Sequence, residues 1–242
     1  MVSLFLDVYS PGNETGLAIA ILYAGKGNSL STLELVLGQE CGTCTESLCE
    51  AMAHTSSLEI YQKLYAHAKA RIQGSPDINY LDLLAEHMVQ MARRGAVPIL
   101  EYVMRLEIPG PTYWVKSPCD NRPSLHLEAA RAGQLETVDW LLKRRHAERF
   151  VLAGAVRGGN PAVVQLLLRE DAFADEGFLT PLKEAVQREH EEMVRILLVE
   201  GHCSLELERQ RGDAMREAKR LGLESMVELL RECGAVSTSS TS

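Results

Sequence analysis

Aromatic residues are scarce in this chain. Four Phe, two Trp and seven Tyr supply only 5% of its 242 residues. That shortage argues against sheets, which draw on aromatic and β-branched side chains. It suits paired helices, for which Ala and Leu are frequent. No run of about 18 apolar residues occurs, so a membrane-spanning helix is not expected. The apolar patch from Met1 to Val8 is broken by Asp7 and no basic residue precedes it, which argues against a secretory signal. Positive charge is in deficit: 25 Lys and Arg face 33 Asp and Glu, a net charge of −8. A nucleic-acid backbone is therefore not expected as the main partner. Six cysteines at uneven spacing suit a reducing compartment, hence an intracellular protein, cytoplasmic or nuclear. Also missing are G-x-S-x-G, a phosphate-cradling glycine loop and H-E-x-x-H. No catalytic residue and no cofactor is expected.

What the chain does contain is a recurring unit. The stretch Ser124 to Leu142 reads as two short helices joined at Gly133, a residue that tolerates positive φ. The first helix carries Glu128, Ala129, Ala130 and Arg131. The second carries Val138, Leu141 and Leu142 at helical spacing. Ala129 has counterparts in Ala155, Ala185 and Ala218, and each is followed nine residues later by Val138, Val164, Val194 or Val227. Spacings near 30 residues indicate stacked helical units, whose cores are buried only by their neighbours. Trp140 falls in a column with Tyr102, Leu166, Ile196 and Leu229, which is expected to pack between units.

The pattern resembles the ankyrin repeat family. Thr180-Pro181-Leu182-Lys183-Glu184-Ala185 is similar to the family's T-P-L-H-x-A opening. Leu197-Leu198-Val199-Glu200-Gly201-His202 and Leu230-Arg231-Glu232-Cys233-Gly234-Ala235 resemble its L-L-x-x-G-A ending. Other units depart from the pattern. Asp213 replaces the opening Thr as an expected N-cap, and the unit at Arg149-Phe150-Val151 has lost the opening. At Ser124 the Leu125-His126 pair comes one residue early, and His126 is expected to be a hydrogen-bonding loop residue.

The expected fold is an all-α, ankyrin-like helical repeat solenoid of about six or seven degenerate units. Residues 1–15 are read as a cap or irregular segment and 16–235 as the repeat domain. Its weaker units are 16–38, 47–68 and 83–107, and its clearer ones 124–146, 150–172, 180–203 and 213–235. Residues 236–242, all small or hydroxylated, are expected to be disordered.

Two stretches stand outside the repeats. Between Pro109 and Pro123 four prolines forbid a helix. Long loops in compact arrays are often functional, so Tyr113 and Trp114 are candidates for an aromatic contact with a partner. The competing reading buries Trp114 under the loop. The second stretch is Cys41, Cys44, Cys49 and His54, spaced C-x2-C-x4-C-x4-H, a weak candidate for tetrahedral zinc. The preferred reading is structural: Cys49 and His54 fall on and just after a predicted helix, where Cys is a small apolar filler.

The resemblance implies that the end of each first helix faces a concave surface. There the sequence places Arg93-Arg94, Arg131, Arg157, Arg188 and Arg220. Glu128, Glu184 and Glu217 lie three or four residues before Arg131, Arg188 and Arg220, an offset that supports local ion pairs. Arg93, Arg94 and Arg157 have no such Glu. They are the expected donors to an acidic segment or carboxylate, since a guanidinium grips a carboxylate through two aligned hydrogen bonds.

The function that the resemblance implies is protein–protein interaction, as a scaffold, adaptor or regulator, through the concave face and the 109–123 loop. The rival reading is a small-molecule-binding protein or enzyme, such as a cyclase, that reuses the solenoid with a pocket near Tyr113, Trp114 and His126. An enclosed pocket there would favour the rival, an open groove the first reading.

Overall fold

The computed structural model describes residues 14–38, 45–72, 80–106, 124–144, 151–170, 181–199 and 205–239. Among them are fourteen helices and no strand. The chain divides into two compact units, Met1–Trp114 and Val115–Ser242. The first holds α1 (Glu14–Lys26), α2 (Leu30–Leu37), α3 (Thr45–His54), α4 (Leu58–Ile72), α5 (Tyr80–Arg94) and α6 (Val97–Arg105). The second holds α7 (Leu125–Arg131), α8 (Leu135–Leu142), α9 (Val151–Gly158), α10 (Pro161–Arg169), α11 (Pro181–Gln187), α12 (Glu191–Val199), α13 (Leu205–Leu221) and α14 (Glu224–Ser239). Within each unit first helices pack on first helices and second helices on second helices. Each is therefore a short all-α solenoid of helical hairpins.

One hydrogen bond sets the register. After each alanine of the column the chain turns, and a backbone N–H five residues on donates to that alanine's carbonyl. The pairs are Gln134 to Ala129, Asn160 to Ala155, His190 to Ala185 and Leu223 to Ala218. This is the closure that satisfies the last carbonyls of a helix. The same bond joins Ser29 to Ala24 and Ala96 to Met91, so the weak units 16–38 and 83–107 share the hairpin geometry. The residue before the donor needs positive φ. Glycine supplies it at Gly133 (φ +73), whereas Glu189 takes φ +55 without that freedom.

The hairpin α3–α4 lacks this closure and borrows from its neighbour. Asn28, at φ +49 in the preceding turn, accepts at Oδ1 from the Thr55 hydroxyl at 2.8 Å and from the N–H groups of Ser56 and Ser57 at 3.0 and 3.2 Å. Its Nδ2 donates to Ser56 Oγ at 2.7 Å. One carboxamide thus ties two consecutive turns together.

The repeat columns form the core. Ala129, Ala155, Ala185 and Ala218 are inaccessible, and Val138, Val164, Val194 and Val227 nearly so. In the Trp140 column, Leu166, Ile196 and Leu229 are buried. Trp140 itself is half-buried, with the Arg144 guanidinium 4.1 Å above its ring. In the first unit Tyr61 is inaccessible within a cluster with Tyr65 and Tyr102, at ring separations of 6.4 and 6.1 Å. Its hydroxyl has no hydrogen-bond partner among the described residues, and burial raises its pKa. A buried, unsatisfied hydroxyl costs about 1–3 kcal/mol. Tyr61→Phe should therefore stabilise the first unit by about 1 kcal/mol, read as a higher urea midpoint at unchanged slope.

Three sequence expectations are corrected. Asp213 is not an N-cap: α13 starts at Leu205, and Asp213 pairs within it with Arg216. A long amphipathic run with no proline lets the helix start early. The tail expected to be disordered from 236 is helical to Ser239, because nothing in Gly234-Ala235-Val236-Ser237 breaks the i to i−4 ladder; residues 240–242 lie outside the described residues. His126 lies within α7 and is buried rather than in a loop, because Ser124 caps the helix immediately ahead of it by accepting from Leu127 N–H at 3.3 Å.

Candidate functional site

The arginines of the second unit sit where first helices end: Arg131, Arg157 and Arg220 lie two residues after Ala129, Ala155 and Ala218, and Arg188 lies three after Ala185, with Gln187 at the second position. One residue before each alanine stands a second column, Glu128, Gly154, Glu184 and Glu217. The two columns interlock across hairpins. Arg157, at the end of α9, donates from Nε and Nη2 to the two carboxylate oxygens of Glu184 on α11, at 3.0 and 3.2 Å. Arg188 donates to the same carboxylate at 2.8 Å from its own hairpin. Glu184 is buried, and these hydrogen bonds hold its pKa below the usual carboxylate value, Arg157 contributing most.

The next step repeats the pattern with an amide. Gln187 of α11 donates to Glu217 of α13 at 2.6 Å, while Arg220 donates to Glu217 at 2.7 and 3.1 Å. Lys183 Nζ lies 3.8 Å away. Glu217 is pulled down to about 2, chiefly by its hydrogen bonds to Arg220 and Gln187. The local pairs Glu184–Arg188 and Glu217–Arg220 are present as the sequence suggested. Arg157 is not the unpaired donor expected of it. Its partner comes from the following hairpin, which offsets within one helix do not reveal.

Arg131 differs. It is exposed, and among the described residues no ion pair joins it to Glu128, which is buried. The next-hairpin position that serves Arg157 and Gln187 is, for Arg131, Gly154. A Cβ there would stand 2.4 Å from Leu127 Cδ1, so Leu127 fills the space.

In the first unit, Arg94 is exposed and contacts His54 Nδ1. Burial, then Arg94 and Lys26, lower the His54 pKa against Glu50. No carboxylate pairs with Arg94 among the described residues. Arg93 is exposed beside it. Cys49 is buried in α3, and Cys41 and Cys44 lie outside the described residues. Among the described residues no group of three or more potential ligands could hold a metal ion. Tyr113 and Trp114 also lie outside them. An open depression runs along the second helices, between Leu135, Asp139, Leu166, Arg169 and Val199, away from the first-helix ends.

Interlocked helical hairpins with a polar face along the first-helix ends define a helical-repeat protein. The family model for ankyrin repeats, in three copies, matches residues 125–209 and 152–240. Over these residues the chain matches ankyrin repeats, which generally mediate protein–protein interaction. No curated protein matches the chain. No described helix is long and apolar enough to cross a membrane.

Proposed function

We propose that this protein is an intracellular adaptor, scaffold or regulator that binds a protein partner through its first-helix face, with the partner contributing an acidic segment. The observation that carries the proposal is the sorting of arginines. Arg157, Arg188 and Arg220 are neutralised by buried glutamates within the fold. Arg94, against His54, and Arg131 present exposed guanidiniums with no carboxylate against them among the described residues. Structural arginines are paired; these two remain able to donate bidentate hydrogen bonds to a carboxylate from outside. Tyr113 and Trp114 belong to the same proposal as an aromatic contact, supported by their place in a proline-rich stretch. The intracellular setting is supported by the unevenly spaced cysteines.

The test is crosslinking of the full chain to native partners, with the linked peptides mapped. The expected result is a specific protein linked through Lys183 or Lys219, on the first-helix side, by a peptide rich in Asp and Glu, and released by salt. Links confined to the second helices, or salt-insensitive capture, would overturn it.

A further inference from the structure

The two interlocked columns have a fixed register. The residue two past each column alanine reaches the position one before the next column alanine: Arg157 reaches Glu184, and Gln187 reaches Glu217. The rule predicts a carboxylate at position 154 for Arg131, and the chain has Gly154. Leu127 occupies the place of the absent side chain, so among the described residues no carboxylate pairs with Arg131 at this rung. The backbone of Arg131 is nevertheless held in place. Gly158 lets α9 approach so closely that a Cβ on it would stand 2.1 Å from the Arg131 carbonyl oxygen. Asn160 Nδ2 donates to that same oxygen at 3.5 Å. A fixed backbone lowers the ordering cost of binding at the side chain.

We propose that Arg131, whose rung has Gly154 and Leu127 where the next rung has Glu184, is a docking position for a carboxylate side chain of the partner, gripped by the exposed guanidinium from the solvent side. The occupant is an Asp or Glu side chain of an acidic peptide segment, completing the rung from outside. This rests on the reading of the first-helix face as the binding surface and assigns the register within it. Glu128 lies three residues before Arg131 but is buried, and among the described residues no ion pair joins the two.

The experiment uses the full chain and a fluorescein-labelled decaglutamate peptide, with decaglutamine as the uncharged control, read by anisotropy. Arg131→Ala should weaken decaglutamate binding about tenfold, the scale of one charge-assisted hydrogen-bonded contact. Arg131→Lys, which keeps the charge but not the fork, should recover only part of the loss. Lys143→Ala removes the same charge from the second helices and should change affinity less than about twofold, the scale of an exposed ion pair. Circular dichroism confirms that each variant is folded. Equal losses in Arg131→Ala and Lys143→Ala would reduce the effect to net charge and overturn the assignment. Unchanged affinity in Arg131→Ala, or no decaglutamate binding by the parent chain, would also overturn it. A partner crosslinked at Lys183 or Lys219 would still uphold the broader reading in those cases. Crosslinks confined to the second helices would end that reading whatever the peptide does.

Discussion

Gly158→Ala destabilises the second unit by about 2–3 kcal/mol, while Gly212→Ala stabilises it by about 0.5–1 kcal/mol. The two substitutions are chemically identical, and each replaces a helical glycine with a better helix former. That gain is about 0.5–1 kcal/mol, and at Gly212 nothing within 4 Å opposes it. At Gly158 the new methyl would lie 2.1 Å from the Arg131 carbonyl oxygen and 2.6 Å from Asn160 Nδ2. The backbone oxygen cannot rotate aside as a side chain can. The helices α7 and α9 must separate, and overpacking of this kind typically costs about 1–3 kcal/mol or more. Urea titration of the two variants checks the pair. A Gly158→Ala midpoint at or above the parent's would show that α7 and α9 are not held at backbone contact.

Acid should loosen the first unit before the second. His87 is buried, donates to the backbone of Cys49, and has no partner at Nδ1 among the described residues. A second proton would sit on that nitrogen with nothing to accept it, and burial holds the folded-state pKa down to about 4 against 6.5 in a free imidazole. The folded state binds fewer protons than the unfolded state between these values. Stability is therefore complete above about pH 6.5 and falls as the pH drops toward 4, by about 3 kcal/mol over the window. In the second unit the depressed groups are carboxylates. Glu217 moves from 4.5 to about 2, and Glu184 is also lowered. Their contribution is present above 4.5 and is lost as the pH falls through that lower range. Hydrogen exchange corrected for intrinsic rates should show protection of 80–106 declining from pH 6.5 to 4 while 181–221 holds, then declines below 4.5. Protection lost in 181–221 first, or a His87 that titrates near 6.5, would contradict this assignment.

The hairpins of the second unit were legible because their information is local. Alanine nine residues before valine is a packing requirement that repeats with each unit, and a period of 3.6 exposes it directly. Boundaries were less legible. Asp213 looks like a cap in isolation, yet it sits inside a run that stays helical from Leu205. The paired state of Arg157 was hidden for a different reason. Its Glu184 is 27 residues away, an offset set by the length of one hairpin and not by one helix turn. Adding the repeat period to the helical offset would have found it, and would also have found Gln187 with Glu217. The Asn28 contacts with Thr55 to Ser57 carry no such signal, since they replace a turn closure that the neighbouring hairpin lacks.

The unequal rungs of the second unit also imply a direction of unravelling. Neighbour coupling between α7 and α9 is made by backbone contact at Gly158, which ionic strength hardly touches. Coupling from α9 to α11 adds Arg157 and Glu184 to the apolar core, and that from α11 to α13 adds Lys183, Gln187 and Glu217. At about 1 M salt the screening length shrinks to about 3 Å, so the partly exposed Arg157 and Lys183 ends of these later couplings weaken, the buried Glu184 and Glu217 ends less, while the first coupling persists. In a linear array whose stability is a sum of unit and interface terms, brine then works as a zip: the hairpins peel from the C-terminal end, and the pair around Gly158 is the last to let go.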